Sequence, residues 1–188
     1  LLIKNLEKEI KIMPRGELKR YEILSIEEID ETTSDPKYRI KLNKMGTRSL
    51  TRVIPRQKGL PYDEGHKHVE KSLVNMYRQY DGYPQGHGLD LAEFLSEFTV
   101  VNGLVEDSYR GKVANGSGCL AAQLVQHFKD GPGNVYLEAL NDEDCWEEYI
   151  YTLFPKEGEP TFISIYDVYA KECIFVGTSA DLQTKYDD

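Results

Sequence analysis

The sequence predicts an α+β fold: a largely antiparallel sheet with two main helices between N- and C-terminal groups of strands. Short runs with period-2 alternation, rich in Val, Ile, Tyr and Phe, occur towards both ends, whereas 3.6-residue apolar spacing is confined to about 89–98 and 119–129. Strands and helices are therefore segregated along the chain, as α+β folds have them. At 188 residues the chain suits one domain, or one domain with an appendage.

Leu1–Ile12 (LLIKNLEKEIKI) reads as a short helix, punctuated by Met13-Pro14-Arg15-Gly16. Tyr21–Ile29 and Lys37–Leu42 alternate as strands around the polar loop Asp30–Pro36, which makes a β-hairpin. Residues 1–44 thus read as an N-terminal extension or accessory hairpin, and residues 45–188 as the main α+β domain. The extension is either an arm that docks on a partner, and so a route to a homo-oligomer, or the first strands of the same sheet.

From Met45 the apolar pattern is denser. Ser49–Ile54 reads as a strand, Pro55–Lys71 as a long polar connection and Ser72–Gln79 as a second strand. Tyr80–Gly88 (YDGYPQGHG) holds too much Gly and Pro for a regular element. Leu89, Leu91, Ala92, Phe94, Leu95 and Phe98 then share one helical face. The cluster Asn115-Gly116-Ser117-Gly118 leads into a helix over Cys119–Lys129, with Leu120, Ala121, Leu124, Val125 and Phe128 on one face and Gly131-Pro132-Gly133 as its stop. Four strands follow: Asn134–Leu140, Glu148–Phe154, Thr161–Tyr169 and Glu172–Val176. Pro155–Pro160 is a turn, and Ala180–Asp188 reads as a fraying tail.

The chain carries 23 Lys+Arg against 32 Asp+Glu, a formal net charge of −9. Residues 138–188 hold 13 acidic and 3 basic side chains, whereas the two preceding stretches are near neutral. An acid excess argues against duplex nucleic acid as a partner, because phosphate affinity needs a basic face. No apolar run approaches a membrane span and no secretory signal opens the chain, so a cytoplasmic, soluble protein is expected. Cys119, Cys145 and Cys173 form neither a disulfide framework nor a zinc pattern, which fits a reducing compartment. His66-Lys67-His68 reads as a solvated hairpin tip, and no metal site is expected.

Met45-Gly46-Thr47-Arg48-Ser49-Leu50-Thr51, then Met76-Tyr77-Arg78-Gln79-Tyr80-Asp81-Gly82-Tyr83-Pro84 and Gly86-His87-Gly88, resemble a family of uncharacterised bacterial and phage proteins that open with Met-Gly-Thr-Arg. The likeness continues through Gly118–Gln123 and Glu148–Tyr151, and this chain departs from it by placing residues 1–44 before Met45. The resemblance implies a cytoplasmic, microbial or viral accessory protein and assigns no catalytic residue.

The Met76–Gly88 segment is the richest candidate site. A strand delivers Arg78, the loop presents Asp81, Tyr83 and His87, and the following helix would turn unpaired N–H groups towards an anion. With Arg48 and Ser117 these residues would hold a small anionic or nucleotide-like ligand, while the glycine spacing matches neither the P-loop nor the dinucleotide fingerprint. No cofactor is expected. The competing reading is a structural turn. A second class of function is a cysteine-dependent hydrolase or transferase, with Cys119 in the first helical turn as nucleophile, His87 as base and Asp81 as orienting acid. Ser49 and Thr47 would serve as nucleophiles only after chain cleavage. A third is a protein-interaction surface built from the acidic end and its tyrosines Tyr149, Tyr151, Tyr166 and Tyr169.

Overall fold

The computed structural model describes residues 21–30, 37–44, 46–103, 112–140 and 146–187. The helix expected at Leu1–Ile12, most of the polar loop expected at Asp30–Pro36, and Cys145 lie outside them. The chain divides into two compact units, Leu1–Thr47 and Arg48–Asp188. In the first, β1 (Tyr21–Asp30) pairs antiparallel with β2 (Lys37–Lys44), Ile26 facing Ile40, which is the expected hairpin.

The second unit is α+β. Its strands are β3 (Ser49–Val53), β4 (Asn75–Arg78), β5 (Phe98–Val101), β6 (Lys112–Asn115), β7 (Val135–Leu137), β8 (Tyr149–Lys156), β9 (Glu159–Asp167) and β10 (Glu172–Gly177). Six of them form one sheet in the order β10-β9-β8-β3-β4-β7, antiparallel except where β3 runs parallel to β8. β5 and β6 make a separate parallel pair that the sequence pattern did not suggest. Among the described residues no helix is long and apolar enough to cross a membrane.

Alternation in β3 and β8 gives the sheet two buried faces. Val53, Met76, Tyr151, Leu153, Ile163 and Ile165 point to one side, where they share a core with α1 (Leu89–Ser96) and α2 (Gly116–Phe128). Leu91, Phe94 and Leu95 of α1 and Leu120 and Leu124 of α2 supply the facing stripes. The other side carries Leu50, Ile54, Ile150 and Phe154, all buried.

Part of that side is covered by the connection 55–71, which is not a loose loop with a hairpin tip. It forms short 3₁₀ turns at Tyr62–Lys67 and Val69–Lys71. Tyr62 packs on Phe154 and Phe162, and His66 stacks on Tyr166 at 3.6 Å between ring centroids. Gly65 presses against the sheet so closely that a Cβ there would sit 2.5 Å from Phe154 Cζ.

β4 and β7 are shorter than expected, the turn expected over Pro155–Pro160 narrows to the two residues between β8 and β9, and three further boundaries differ in kind. The helix expected over 89–98 ends at Ser96, because Phe98 enters β5. The helix expected over 119–129 begins at Gly116, directly after β6, so the second glycine cluster is the first helical turn rather than a loop. The tail expected to fray is helix α3 (Ser179–Tyr186), which packs against α1 and buries Leu182 completely.

The sheet edge at β7 is short. The Val135 N–H donates to Gly133 O at 2.7 Å and the Val135 carbonyl accepts from Lys129 Nζ at 2.6 Å, so little of this edge is open to another strand.

Candidate functional site

The Met76–Gly88 segment is built as a latch. Arg78, leaving β4, donates from Nε to the Tyr80 carbonyl at 2.9 Å, and from Nη1 to His87 Nδ1 at 2.8 Å and Asp90 Oδ2 at 2.9 Å. Its guanidinium lies over the Phe128 ring. His87 is fully buried, and its Nε2 meets Thr51 Oγ1 at 2.7 Å. An arginine can only donate, so Nδ1 carries the lone pair and Nε2 carries the proton, donated to Thr51. Burial, and after it the Arg78 charge, hold the His87 pKa well below its ordinary value.

The backbone of this loop is engaged as well. A single π-turn over Pro84–Gly88 precedes α1; within it His87 N donates to Asp81 O at 2.8 Å, and Gly86 N and Gly88 N donate to Tyr83 O. The amides expected to face an anion therefore already have carbonyl partners. Gly82 packs on Ser49, where a Cβ would come within 2.8 Å of it, and its carbonyl accepts from the buried Tyr151 hydroxyl at 2.9 Å.

The predicted residues divide accordingly. Arg78 and His87 meet, with the Asp81 and Tyr83 carbonyls beside them, while the Asp81 side chain is exposed at φ 56°. Arg48 lies immediately before β3, where its carbonyl accepts from Glu148 N at 2.9 Å. Ser117 sits half-buried in the first turn of α2.

Cys119 and His87 do not form the expected nucleophile–base couple. Both ring nitrogens of His87 are held by Thr51 and Arg78, and Cys119 Sγ accepts from Gln123 Nε2 at 3.2 Å. The residue of α2 that touches the His87 ring is Phe128. Cys119 lies nine positions earlier, about 13 Å away along the helix axis. The tyrosine surface is also dispersed: Tyr151 is in the core and Tyr166 lies under His66. Among the described residues no cluster of three or more His, Cys, Asp or Glu is placed to hold a metal ion.

A different constellation lies beyond the end of β3. The parallel ladder continues past the strand, with Ile54 N donating to Leu153 O and Arg56 N to Pro155 O, and this sets Arg56 beside the β8–β9 turn. The Arg56 guanidinium pairs through Nη1 with Glu159 and lies over the Phe162 ring at 4.6 Å. Lys156 pairs with the other oxygen of the same carboxylate. Those bonds, that from Lys156 foremost, hold Glu159 below the usual carboxylate range.

Arg56, Lys58, Gly59, Tyr62, Lys156 and Glu159 line a groove of about 560 Å³. Two cations thus hold one carboxylate and a third, Lys58, lines the same groove, on a chain that is acidic overall. The Arg56 side chain is only 9% exposed, and its Nε is buried with no hydrogen-bond partner among the described residues. Sequence reading passed over these residues because Arg56 and Lys156 stand a hundred positions apart. The signal available was Arg56-Gln57-Lys58-Gly59, a paired-cation turn inside a segment read as connection.

No protein-family model, curated protein or solved structure matches the chain. The likeness carried by Met45–Thr51 and Met76–Gly88 therefore gains no support from these comparisons.

Proposed function

We propose that this protein binds a small anionic ligand, of phosphate or carboxylate type, in the groove lined by Arg56, Lys58 and Lys156. The observation that carries the reading is an excess of two positive charges, Arg56, Lys58 and Lys156 against Glu159, among the residues that line a groove large enough for a small molecule. An anion there would be met by Lys58, which makes no hydrogen bond to a described residue, and by Lys156 and Arg56 once Glu159 shares them. The anionic-ligand class expected from the sequence is kept, and its place moves from the glycine loop, whose polar groups face one another, to this groove.

Thermal unfolding with inorganic pyrophosphate as the probe tests the proposal. Ligand at about a hundredfold excess over Kd should stabilise the native state by about 2.7 kcal/mol, seen as a rise in Tm. The rise should vanish in Lys58→Glu, an exposed side chain whose replacement leaves the fold intact, and persist in Arg48→Ala. A rise lost in Arg48→Ala and kept in Lys58→Glu would return the ligand to the glycine loop. No rise at all would sink the anion reading.

A further inference from the structure

We infer that a second groove on this unit is a binding site for a neutral saccharide. It is lined by residues from the end of α1, the start of β5, the β8–β9 turn and the start of α3, and it encloses about 460 Å³, within the size range of small-molecule sites. Its chemistry is set by elimination of charge. No lining residue is a cation, and the nearby Lys112, whose ammonium lies 5.9 Å from the Phe98 ring centroid, is paired with Glu97, so no open positive charge faces a phosphate or a carboxylate.

Glu159 is the one charged lining residue, and both of its oxygens are taken by Arg56 and Lys156. A cationic ligand therefore finds no open carboxylate. The start of α3, which would otherwise favour an anion, is already filled by its own capping box: the Asp181 carboxylate accepts from Thr178 N at 2.8 Å, and Asp181 N donates to Thr178 Oγ1.

What remains is hydroxyl and apolar surface. Thr99, Thr161 and Ser179 line the groove, and their hydroxyls make no hydrogen bond to another described residue. Each hydroxyl offers one donor and two acceptor sites, so it pairs with the hydroxyl of a sugar in either sense. Pro160 and Phe98 supply apolar surface of the kind the C–H face of a pyranose covers, the Phe98 ring being shared with Phe94 and the Lys112 ammonium. A ligand that is uncharged, rich in hydroxyls and apolar on one face matches all of these features, and a disaccharide fits the volume.

The inference shares only Glu159 with the anion groove and does not rest on it. Calorimetric titration of the full chain with maltose, cellobiose and N,N′-diacetylchitobiose tests it. At least one should bind saturably with a Kd of about 1 mM or tighter. Thr99→Val and Ser179→Ala should each weaken that binding by about fivefold, the loss of one neutral hydrogen bond. Ser179→Ala, at the first position of α3, keeps the Thr178 cap and so guards against a fold defect. Lys58→Glu should leave saccharide binding unchanged. Failure of all three sugars to bind would overturn the site, and so would binding indifferent to both hydroxyl variants. Pyrophosphate binding that persists in either case would show that the anion groove stands without it.

Discussion

Protonating His87 would turn a second N–H towards the Arg78 guanidinium 2.8 Å away, in a site without solvent-facing surface. The native state therefore keeps the imidazole neutral to a lower pH than the unfolded chain does. Below the ordinary value of 6.5 the unfolded state binds one proton more, so stability falls as pH falls, by about 1.4 kcal/mol per unit while the difference is full. His66, lowered by burial and by Lys67, acts in the same direction. Urea unfolding between about pH 7 and pH 5 should show this acid limb. His87→Gln, which offers an N–H to Thr51 and an acceptor to Arg78 but no titrating group, should be flatter there by one proton's slope. An unchanged slope would mean that the ring is not held neutral by this latch. Thr51→Val should cost about 1–3 kcal/mol, since it leaves the Nε2 proton buried and unpaired.

At the scale of elements, the clearest departure from expectation is α3. Ala180–Asp188 holds little apolar residue beyond Leu182, which is why the segment reads as a tail. The signal was present two positions upstream: Thr178-Ser179-Ala180-Asp181 is a capping box, and the structure forms both of its hydrogen bonds. Thr178→Ala should cost about 1 kcal/mol and Leu182→Ala about 2–5 kcal/mol in denaturant unfolding. A Leu182→Ala variant as stable as the parent would mean that α3 does not dock.

All six strands of the main sheet and both long helices were readable from periodicity to within a few residues, because their buried faces repeat at 2.0 or 3.6. β5 and β6 were not: Phe98 continues the apolar spacing of α1 and so reads as helix, and Lys112–Asn115 offers only Val113 and Ala114 as apolar residues. The role of Pro55–Lys71 was hidden for another reason. It is polar where it meets water, yet it places Tyr62, Gly65 and His66 against a face whose need for cover shows only when every residue of β3 is seen to be buried.

At the scale of the whole chain, the groove proposed as the anion site is built by one non-local pairing. β3 lies parallel to β8, and the register Val53 to Leu153 carries Arg56 to Lys156 and Glu159 across a hundred positions of sequence. No local pattern encodes that pairing, so the sequence alone points to the glycine loop for an anion, because Arg78, His87 and the glycines are close together there. There, proximity makes a latch: Arg78 and His87 bond to each other, and the loop amides bond to its own carbonyls. The net charge of −9 likewise conceals the groove, because the cations around Glu159 are few and come from distant segments.

The most direct test of the groove is a ¹H–¹⁵N correlation spectrum of the full chain titrated with inorganic pyrophosphate. Saturable shifts should cluster on the amides of Arg56–Tyr62 and Lys156–Glu159 and be absent in Lys58→Glu. Shifts confined to Arg78–Asp90 or Gly116–Cys119, with the Arg56–Tyr62 amides unmoved, would contradict the assignment.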